Sequence, residues 1–309
     1  MSEGRTVYLN GRFVAERDAH ISMFDAGLVW GAMLFETTRS FGQIPFKLRD
    51  HLERLRASMA VTGIDGEMTV DQLDAATHEL IRRNVPHFAA DDDFSIVHNV
   101  SPGPSMAYAD AAPDAGRPTV AIYIRSMAAS LGEMATLYET GVRAYVPRQR
   151  SLPGRLLDPK VKSRSRLHYW MATNEAERED PGAWAVLSDD DGYLTEGSGS
   201  NFFVVREGVV MTPEPRHILR GVTRQTVLDL AGEIGVPVRE ANLEPFDVID
   251  AQEAFFASTP YVMMPATTFN GRRVGDGRPG PITMRLLDAF GETVGVDIVG
   301  QAKAYAERV

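Results

Sequence analysis

The sequence contains no cysteine, and this absence excludes several kinds of chemistry. Disulfide bonds, thiolate nucleophiles and cysteine-ligated metal sites are impossible in such a chain. Nothing in the sequence indicates an oxidising compartment, so we expect a cytoplasmic protein. The seven histidines are scattered without the spacing of metal ligands, and no metal site is expected.

Long apolar runs and an excess of positive charge are also lacking. No run approaches the roughly 20 apolar residues that a membrane-spanning helix needs. The segment 1–17 is polar and has no apolar core of a signal peptide. The net charge of −10 argues against nucleic acid or a membrane surface as a partner. With 309 residues, 44% of them hydrophobic, the chain can bury one large core or two smaller ones.

Strand-like and helix-like segments follow one another irregularly, which favours an α+β fold over a doubly wound parallel sheet. The dipeptide Asn10-Gly11 between two short alternating runs predicts a β-hairpin, because both turn positions need positive φ. Leucines at helical spacing predict an amphipathic helix from Leu48 that ends at Gly63. The periodic pattern of apolar residues weakens near 131–138. We therefore expect a small N-terminal domain over 1–130, a linker over 131–138 and a larger C-terminal domain over 139–309.

Two charged side chains in the second half of the chain suggest unusual chemistry. Lys162 stands in the run V-K-S-R-S-R ahead of a predicted helix, and Glu196 stands on a predicted turn, T-E-G-S-G-S, between apolar strands. A lysine in a basic run is most often a solvated surface residue, and such a turn is most often only a turn. Together, however, the two suit a cofactor that binds an amine covalently and needs a carboxylate to keep a ring nitrogen protonated.

A loop that carries Gly221 leads directly into a predicted helix and is a candidate anion site. The N–H groups of Val222 and Thr223, the Thr223 hydroxyl and the positive end of the helix dipole all favour a phosphate. An ordinary helix N-cap by Thr223 is the alternative interpretation, and it needs no bound anion. The hydroxyls of Ser258 and Thr259 follow an apolar strand and either reach the same phosphate or form a simple turn. The segment G-S-G-S leads into a strand, which argues against a dinucleotide-binding fingerprint.

Taken together, these residues resemble the fold-type IV pyridoxal-phosphate enzymes, the class IV aminotransferases, which include branched-chain, D-amino acid and (R)-amine transaminases. The motifs are, in chain order, F-D-A-G-L-V-W-G-A-M-L-F-E, D-H-L-E-R-L, V-K-S, L-T-E-G-S-G-S-N-F-F, L-R-G-V-T-R, F-A-S-T-P and G-D-G-R-P-G-P-I-T. Each motif is weak alone, but their order and spacing are specific and span nearly the whole chain. The resemblance implies a two-domain D-amino acid aminotransferase-like fold, with a small N-terminal α/β domain, a larger C-terminal domain and the cofactor between them. It also implies a homodimer with a shared active site.

The resemblance further implies roles for individual residues. Lys162 forms the aldimine with pyridoxal 5'-phosphate and then serves as general base and acid, while Glu196 holds the pyridine nitrogen. Arg54 binds the cofactor's phosphate. The other implied phosphate-binding residues are Gly221, Val222, Thr223, Ser258 and Thr259. The activity implied is ping-pong transfer of an amino group from an amino acid or primary amine to a keto acid. A lyase of the aminodeoxychorismate type uses the same scaffold, and a non-catalytic protein would keep the fold alone.

The substrate pocket departs from the patterns of the named subfamilies. Leu167 stands where branched-chain enzymes carry a tyrosine. Pro260 stands where those enzymes use a backbone N–H for the substrate carboxylate, and proline has no N–H. The carboxylate must then be bound by Arg39, His98 or another group, or the donor is an amine without one. His98 lies on an apolar strand, where a buried core histidine is the plainer interpretation. Phe35 is a further candidate pocket residue.

Overall fold

The computed structural model describes residues 4–308, and the chain forms two compact units. The first unit takes the chain up to Met127 together with the short segment Val161–Ser165. The second unit takes Ala128–Lys160 and the chain from Arg166 onward. Helices and strands occur in both units, which confirms the predicted α+β class. None of the helices in the described part of the chain has the length and apolar character of a membrane span.

The first unit is built on a six-stranded antiparallel sheet with the strand order β2-β1-β6-β5-β3-β4. Its strands are β1 (Thr6–Leu9), β2 (Arg12–Ala15), β3 (Leu34–Phe41), β4 (Ile44–Pro45), β5 (Phe94–Ser101) and β6 (Thr119–Ser126). Its α-helices are α1 (Ala26–Val29), α2 (Leu48–Thr62) and α3 (Val70–Asn84), with 3-10 turns at Glu16–Asp18, Val85–His87 and Met106–Tyr108. The predicted hairpin is confirmed, since β1 pairs with β2 and both Asn10 and Gly11 have positive φ.

Helices α2 and α3 cover one face of this sheet. Apolar residues of both helices, such as Leu52 and Leu80, share a buried cluster with Ile96 and Ile122 of the sheet. The predicted end of α2 is confirmed, because Gly63 caps the helix with a φ of 70°. Side chains on β3, β5 and β6 alternate between this helix-covered face and the opposite face.

The segment Val161–Ser165 adds a short antiparallel partner to the start of β3. The Phe35 N–H donates to the Lys162 carbonyl at 3.0 Å, and the Arg164 N–H donates to the Met33 carbonyl at 2.7 Å. Ser163 faces Leu34 in this pairing. Because Val161 belongs to the helix-covered core, strand alternation places Lys162 and Arg164 on the opposite side of the segment.

The second unit is built on a nine-stranded mixed sheet. Its strands are β7 (Val142–Tyr145), β8 (Ala183–Ser188), β9 (Leu194–Gly197), β10 (Asn201–Arg206), β11 (Val209–Pro213), β12 (Val238–Ala241), β13 (Glu253–Ser258), β14 (Val262–Phe269) and β15 (Arg272–Arg273). Its helices are α4 (Ala128–Met134), α5 (Leu137–Thr140), α6 (Leu167–Glu179), α7 (Val222–Glu233), α8 (Pro245–Ile249), α9 (Pro281–Val294) and α10 (Ile298–Ala306). Strand β9 pairs with β8 on one side and with β10 on the other, so β10, β13, β14, β7, β8 and β9 form a closed ring.

The segment 131–138 differs from the expected linker. It covers most of α4 and the beginning of α5, and the two units divide at Met127 and Ala128. Helix α4 packs closely on α10: a Cβ added at Gly132 would lie 3.0 Å from the backbone of Tyr305 and Ala306. The small, weakly patterned residues that suggested a linker are therefore those that permit a close helix–helix contact.

Candidate active site

Lys162 lies beside an aromatic ring in the first unit. Its backbone is fixed by the pairing with β3, and its N–H also donates to the Ser58 hydroxyl of α2 at 3.4 Å. The side chain is half-buried, with Nζ 4.7 Å from the centroid of the Phe35 ring. Lys162 is thus anchored at its backbone and sheltered at its amine, unlike a lysine in a solvated basic run.

Arg54 is held by a buried carboxylate that the sequence did not single out. Its Nε and one Nη donate to the two oxygens of Glu36 at 2.7 Å each, and His51 Nδ1 lies 2.9 Å from the same carboxylate. Burial by itself would raise the pKa of Glu36, but the charge and hydrogen bonds of Arg54, with the hydrogen bond from His51, lower it overall. Burial lowers the pKa of His51. The sequence feature that could have indicated Glu36 is its charge, which is unusual inside the predicted strand F-E-T-T.

The candidate substrate residues of the first unit lie on two different faces of the sheet. Phe35 and Arg39 share the face away from α2 and α3, since they are four residues apart on β3. Arg39 is only 1% exposed, and its guanidinium lies 4.4 Å from the Phe41 ring centroid. His98 instead pairs across strands with Glu36 and lies 2.8 Å from the Thr77 hydroxyl of α3. His98 thus lies on the opposite face of the sheet from Phe35, which supports the plainer interpretation of a core histidine. Its role in substrate binding stays a prediction.

Glu196 is the centre of the candidate site in the second unit. It lies within strand β9 rather than on the predicted turn, and it is only 5% exposed. One carboxylate oxygen accepts the Tyr169 hydroxyl at 2.6 Å. The other accepts the Leu219 N–H at 3.0 Å and the Asn201 side-chain amide at 3.3 Å. Three neutral donors therefore contact this carboxylate, an arrangement that stabilises its ionised form.

Tyr169 is a site residue that sequence reasoning missed. Burial of the phenol, followed by the charge of Glu196 and the hydrogen bond to it, raises the pKa of Tyr169 well above its usual value. Arg166 opposes the shift, with its guanidinium 5.2 Å from the Tyr169 ring centroid, and it also donates to the Ser198 carbonyl. Tyr169 remains a neutral donor over the physiological range. No feature of the sequence indicated Tyr169, because only the packing of α6 on β8, the strand next to β9, brings its hydroxyl to Glu196.

The predicted anion site lies at the N-terminus of α7. Gly221 is the N-cap and supplies no side chain, so the ordinary cap by Thr223 is not formed. A Cβ at Gly221 would lie 2.1 Å from the Asn201 side-chain oxygen, so a larger residue there would displace the Asn201 side chain. Val222 is half-buried and Thr223 is buried. Since the first N–H groups of a helix have no partner within it, this terminus suits an anion. Asn201 links it directly to Glu196.

The remaining predicted residues lie after β13. The Ser258 hydroxyl donates to the Gly199 carbonyl at 2.8 Å, which joins the end of β13 to the turn that follows Glu196. Thr259 and Pro260 are half-buried in the next turn. The structure thus brings Glu196, Gly221, Val222 and Thr223 together through Asn201. It brings Lys162 together with Phe35 in the first unit.

Comparison with known proteins identifies the family. The sequence pattern of the amino-transferase class IV family matches residues 33–269. The chain belongs to the class IV aminotransferases. This aminotransferase uses pyridoxal 5'-phosphate, the cofactor of the class, and its fold is fold type IV, as the resemblance implied.

The relatives of this aminotransferase match it over nearly its full length. A putative branched-chain-amino-acid aminotransferase of Methanocaldococcus jannaschii is 34% identical over 285 residues, which cover 92% of this chain and 94% of that protein. The branched-chain-amino-acid aminotransferase of Escherichia coli K12 is 31% identical over 291 residues, covering 92% and 91%. A crystal structure of the branched-chain amino acid aminotransferase from Thermobaculum terrenum in its PLP-form has a TM-score of 0.81 at 26% identity, covering 99% and 98%.

We predict that the burial of His98 makes the aminotransferase less stable in acid. Burial lowers the pKa of His98 from 6.5 to about 4, with Glu36 opposing and His51 adding to the shift. As the pH falls below 6.5, the unfolded chain takes up this proton first, so stability is lost progressively down to pH 4, by roughly 3 kcal/mol in all. Urea unfolding between pH 6.5 and pH 4 should show a smaller loss of unfolding free energy in His98→Gln than in the wild type, because the glutamine amide does not titrate. Equal losses of unfolding free energy in His98→Gln and the wild type would contradict the assignment of this acid sensitivity to His98.

The pKa of Tyr169 reports its contact with Glu196. In Glu196→Gln the phenol should ionise at a lower pH than in the wild type, because the neighbouring negative charge is gone. The measurement is the ultraviolet absorbance of phenolate against pH, with a Tyr169→Phe counterpart subtracted from each protein. Glu175→Gln, which alters another carboxylate of α6, is the control and should leave the Tyr169 pKa unchanged. An unchanged value in Glu196→Gln contradicts the contact.

Proposed function

We propose that this aminotransferase moves the amino group of an amino acid to a keto acid in two half-reactions, with Lys162 as the residue that binds the cofactor covalently. The supporting observation is the placement of Lys162: a backbone fixed to β3 and an amine sheltered against the Phe35 ring. In a class IV aminotransferase, an amine held in this way suits covalent capture of an aldehyde.

The residues of the second unit fit the cofactor's ring and phosphate. Glu196 is a buried carboxylate held by neutral donors, so it suits a protonated ring nitrogen. The α7 terminus at Val222 and Thr223, kept open by Gly221, suits a phosphate. The roles of Ser258 and Thr259 stay predictions from the resemblance.

The residues of the first unit would handle proton transfer. Once bound, the cofactor supplies an electron sink for the bond at the substrate's Cα. Lys162, freed from the cofactor when the substrate amine displaces it, would take the Cα proton as general base and deliver it to C4′ of the cofactor as general acid. Arg54 stays the predicted phosphate-binding arginine. Glu36 accepts two of its five N–H donors and fixes the orientation of its guanidinium.

Replacing Lys162 tests the covalent role. Borohydride reduction of the wild-type holoenzyme should attach one cofactor to Lys162, as located by peptide mass spectrometry. Lys162→Ala should carry no such adduct and lose roughly 100- to 10,000-fold in turnover, because its general base is absent. Lys160→Ala is the matched control, since Lys160 pairs with Asp158 at 2.7 Å, and should behave as the wild type. An adduct on another residue would refute the proposal.

The same preparation separates transamination from the lyase alternative. A transaminase requires a keto acid acceptor for repeated turnover, whereas a lyase of the aminodeoxychorismate type releases its product without one. The aminotransferase names of the relatives favour the first reaction. Turnover that is independent of added 2-oxoglutarate or pyruvate would favour the second.

We also propose that the aminotransferase is a homodimer. Helix α6 exposes three large apolar side chains at helical spacing, namely Leu167, Trp170 and Met171. Clustered exposed apolar groups mark interaction surfaces more often than single ones do. A second copy of this chain is the occupant that the resemblance implies. The cytoplasmic location stays a prediction, which fractionation of the source cells would test.

Sedimentation velocity tests the dimer and its surface. The wild type should sediment as a dimer, and Trp170→Glu should shift it toward monomer, because a charge cannot be buried unpaired at an apolar contact. Arg178→Glu changes the charge of an exposed position on the same helix and should not alter the mass. A monomeric wild type, or a Trp170→Glu variant that remains fully dimeric, contradicts this assignment.

A further inference from the structure

Arg164 lies beside the reactive lysine on the same side of the segment Val161–Ser165. Its guanidinium carbon is 3.9 Å from the centroid of the Phe35 ring, and Lys162 Nζ is 4.7 Å from the same centroid. The distance between Lys162 Nζ and the Arg164 guanidinium carbon therefore cannot exceed the sum of these two distances. This juxtaposition follows from strand alternation, because residues two apart share a face.

The guanidinium of Arg164 is held in a defined orientation. Its Nε and one Nη donate to the Asn99 side-chain oxygen at 3.1 and 3.0 Å. Asn99 is buried and pairs across strands with Phe35. Stacking on the ring and a hydrogen-bonded edge together limit the rotation of the side chain. A planar guanidinium that is already oriented is well suited to binding a carboxylate through two parallel hydrogen bonds.

The substrate's own chemistry determines where its carboxylate must be bound. In an α-amino acid the amine and the carboxylate are attached to the same carbon, so the carboxylate receptor must lie near the group that reacts with the amine. Pro260 has no N–H to offer, and His98 lies on the helix-covered face. Arg39 is buried and lies four residues beyond Phe35 on β3, about 13 Å along the strand.

We propose that Arg164 binds the carboxylate of the amino acid and keto acid substrates, and so makes this aminotransferase selective for α-amino acids over simple amines. This inference rests on the proposed role of Lys162. Arg164 is exposed to solvent, so a diffusing substrate can reach its guanidinium. Asn99 acts through Arg164 as a positioning residue.

The experiment compares substrates that differ only in the carboxylate. Racemic leucine and 3-methylbutan-1-amine share a side chain, and each is mixed with the holoenzyme in a single half-reaction. Binding of 4-methylpentanoate, which has the carboxylate but no amine, is measured separately by isothermal titration calorimetry. In Arg164→Gln we expect kcat/KM for leucine and affinity for 4-methylpentanoate to fall about 10- to 100-fold. The rate with the amine should be unchanged.

Two further variants serve as controls. Arg56→Gln removes an exposed arginine of α2 and should match the wild type with all three compounds. Arg164→Lys keeps the charge without the planar fork and should show an intermediate loss, which also covers the case that the glutamine variant fails to fold. Equal losses for leucine and the amine, or no loss in either Arg164 variant, overturn the proposal. A wild type that reacts with neither substrate overturns the proposed function instead.

Discussion

Two backbone hydrogen bonds, from Phe35 to Lys162 and from Arg164 to Met33, fix the position of Lys162 in the first unit. Each such bond contributes only about 1 kcal/mol to stability, but together they set the register of the segment against β3. A slip of one residue would turn Lys162 and Arg164 toward the helix-covered core and Val161 away from it. Because that core is apolar and well packed, the register is strongly specified. The position of the Lys162 amine thus follows from the burial of its neighbours.

Two buried carboxylates, Glu36 and Glu196, have opposite surroundings. Glu36 is contacted by the cation of Arg54 and by His51, so its charge is balanced locally and serves to orient the arginine. The donors described around Glu196 are a phenol, a backbone N–H and a side-chain amide, all of them neutral. These hydrogen bonds stabilise the ionised carboxylate. In the proposed function Glu196 holds the protonated ring nitrogen of the cofactor, whereas both oxygens of Glu36 are engaged by Arg54.

Asn201 connects the candidate site residues of the second unit. It pairs with Glu196 across the point where the ring of strands closes, and its side chain contacts both the carboxylate and the Leu219 carbonyl. The same side chain occupies the space that a Cβ at Gly221 would need. A single residue therefore couples the carboxylate, the loop before α7 and the start of that helix. Functional groups supported in this way lose little orientation to thermal motion.

The sequence by itself determined the fold class, the β1–β2 hairpin, the end of α2 and the family, because these depend on local patterns and on the order of motifs. It also indicated Lys162, Glu196 and the Gly221 loop, whose residue types are unusual in their settings. It did not indicate Tyr169, Glu36 or the neighbourhood of Arg164. It left His98 open between pocket and core, and it did not indicate that most of the segment 131–138 is helical. Only the tertiary structure showed the surroundings of these residues. The reason is that strand register and the packing of α4 and α6 bring together residues that are distant in the sequence.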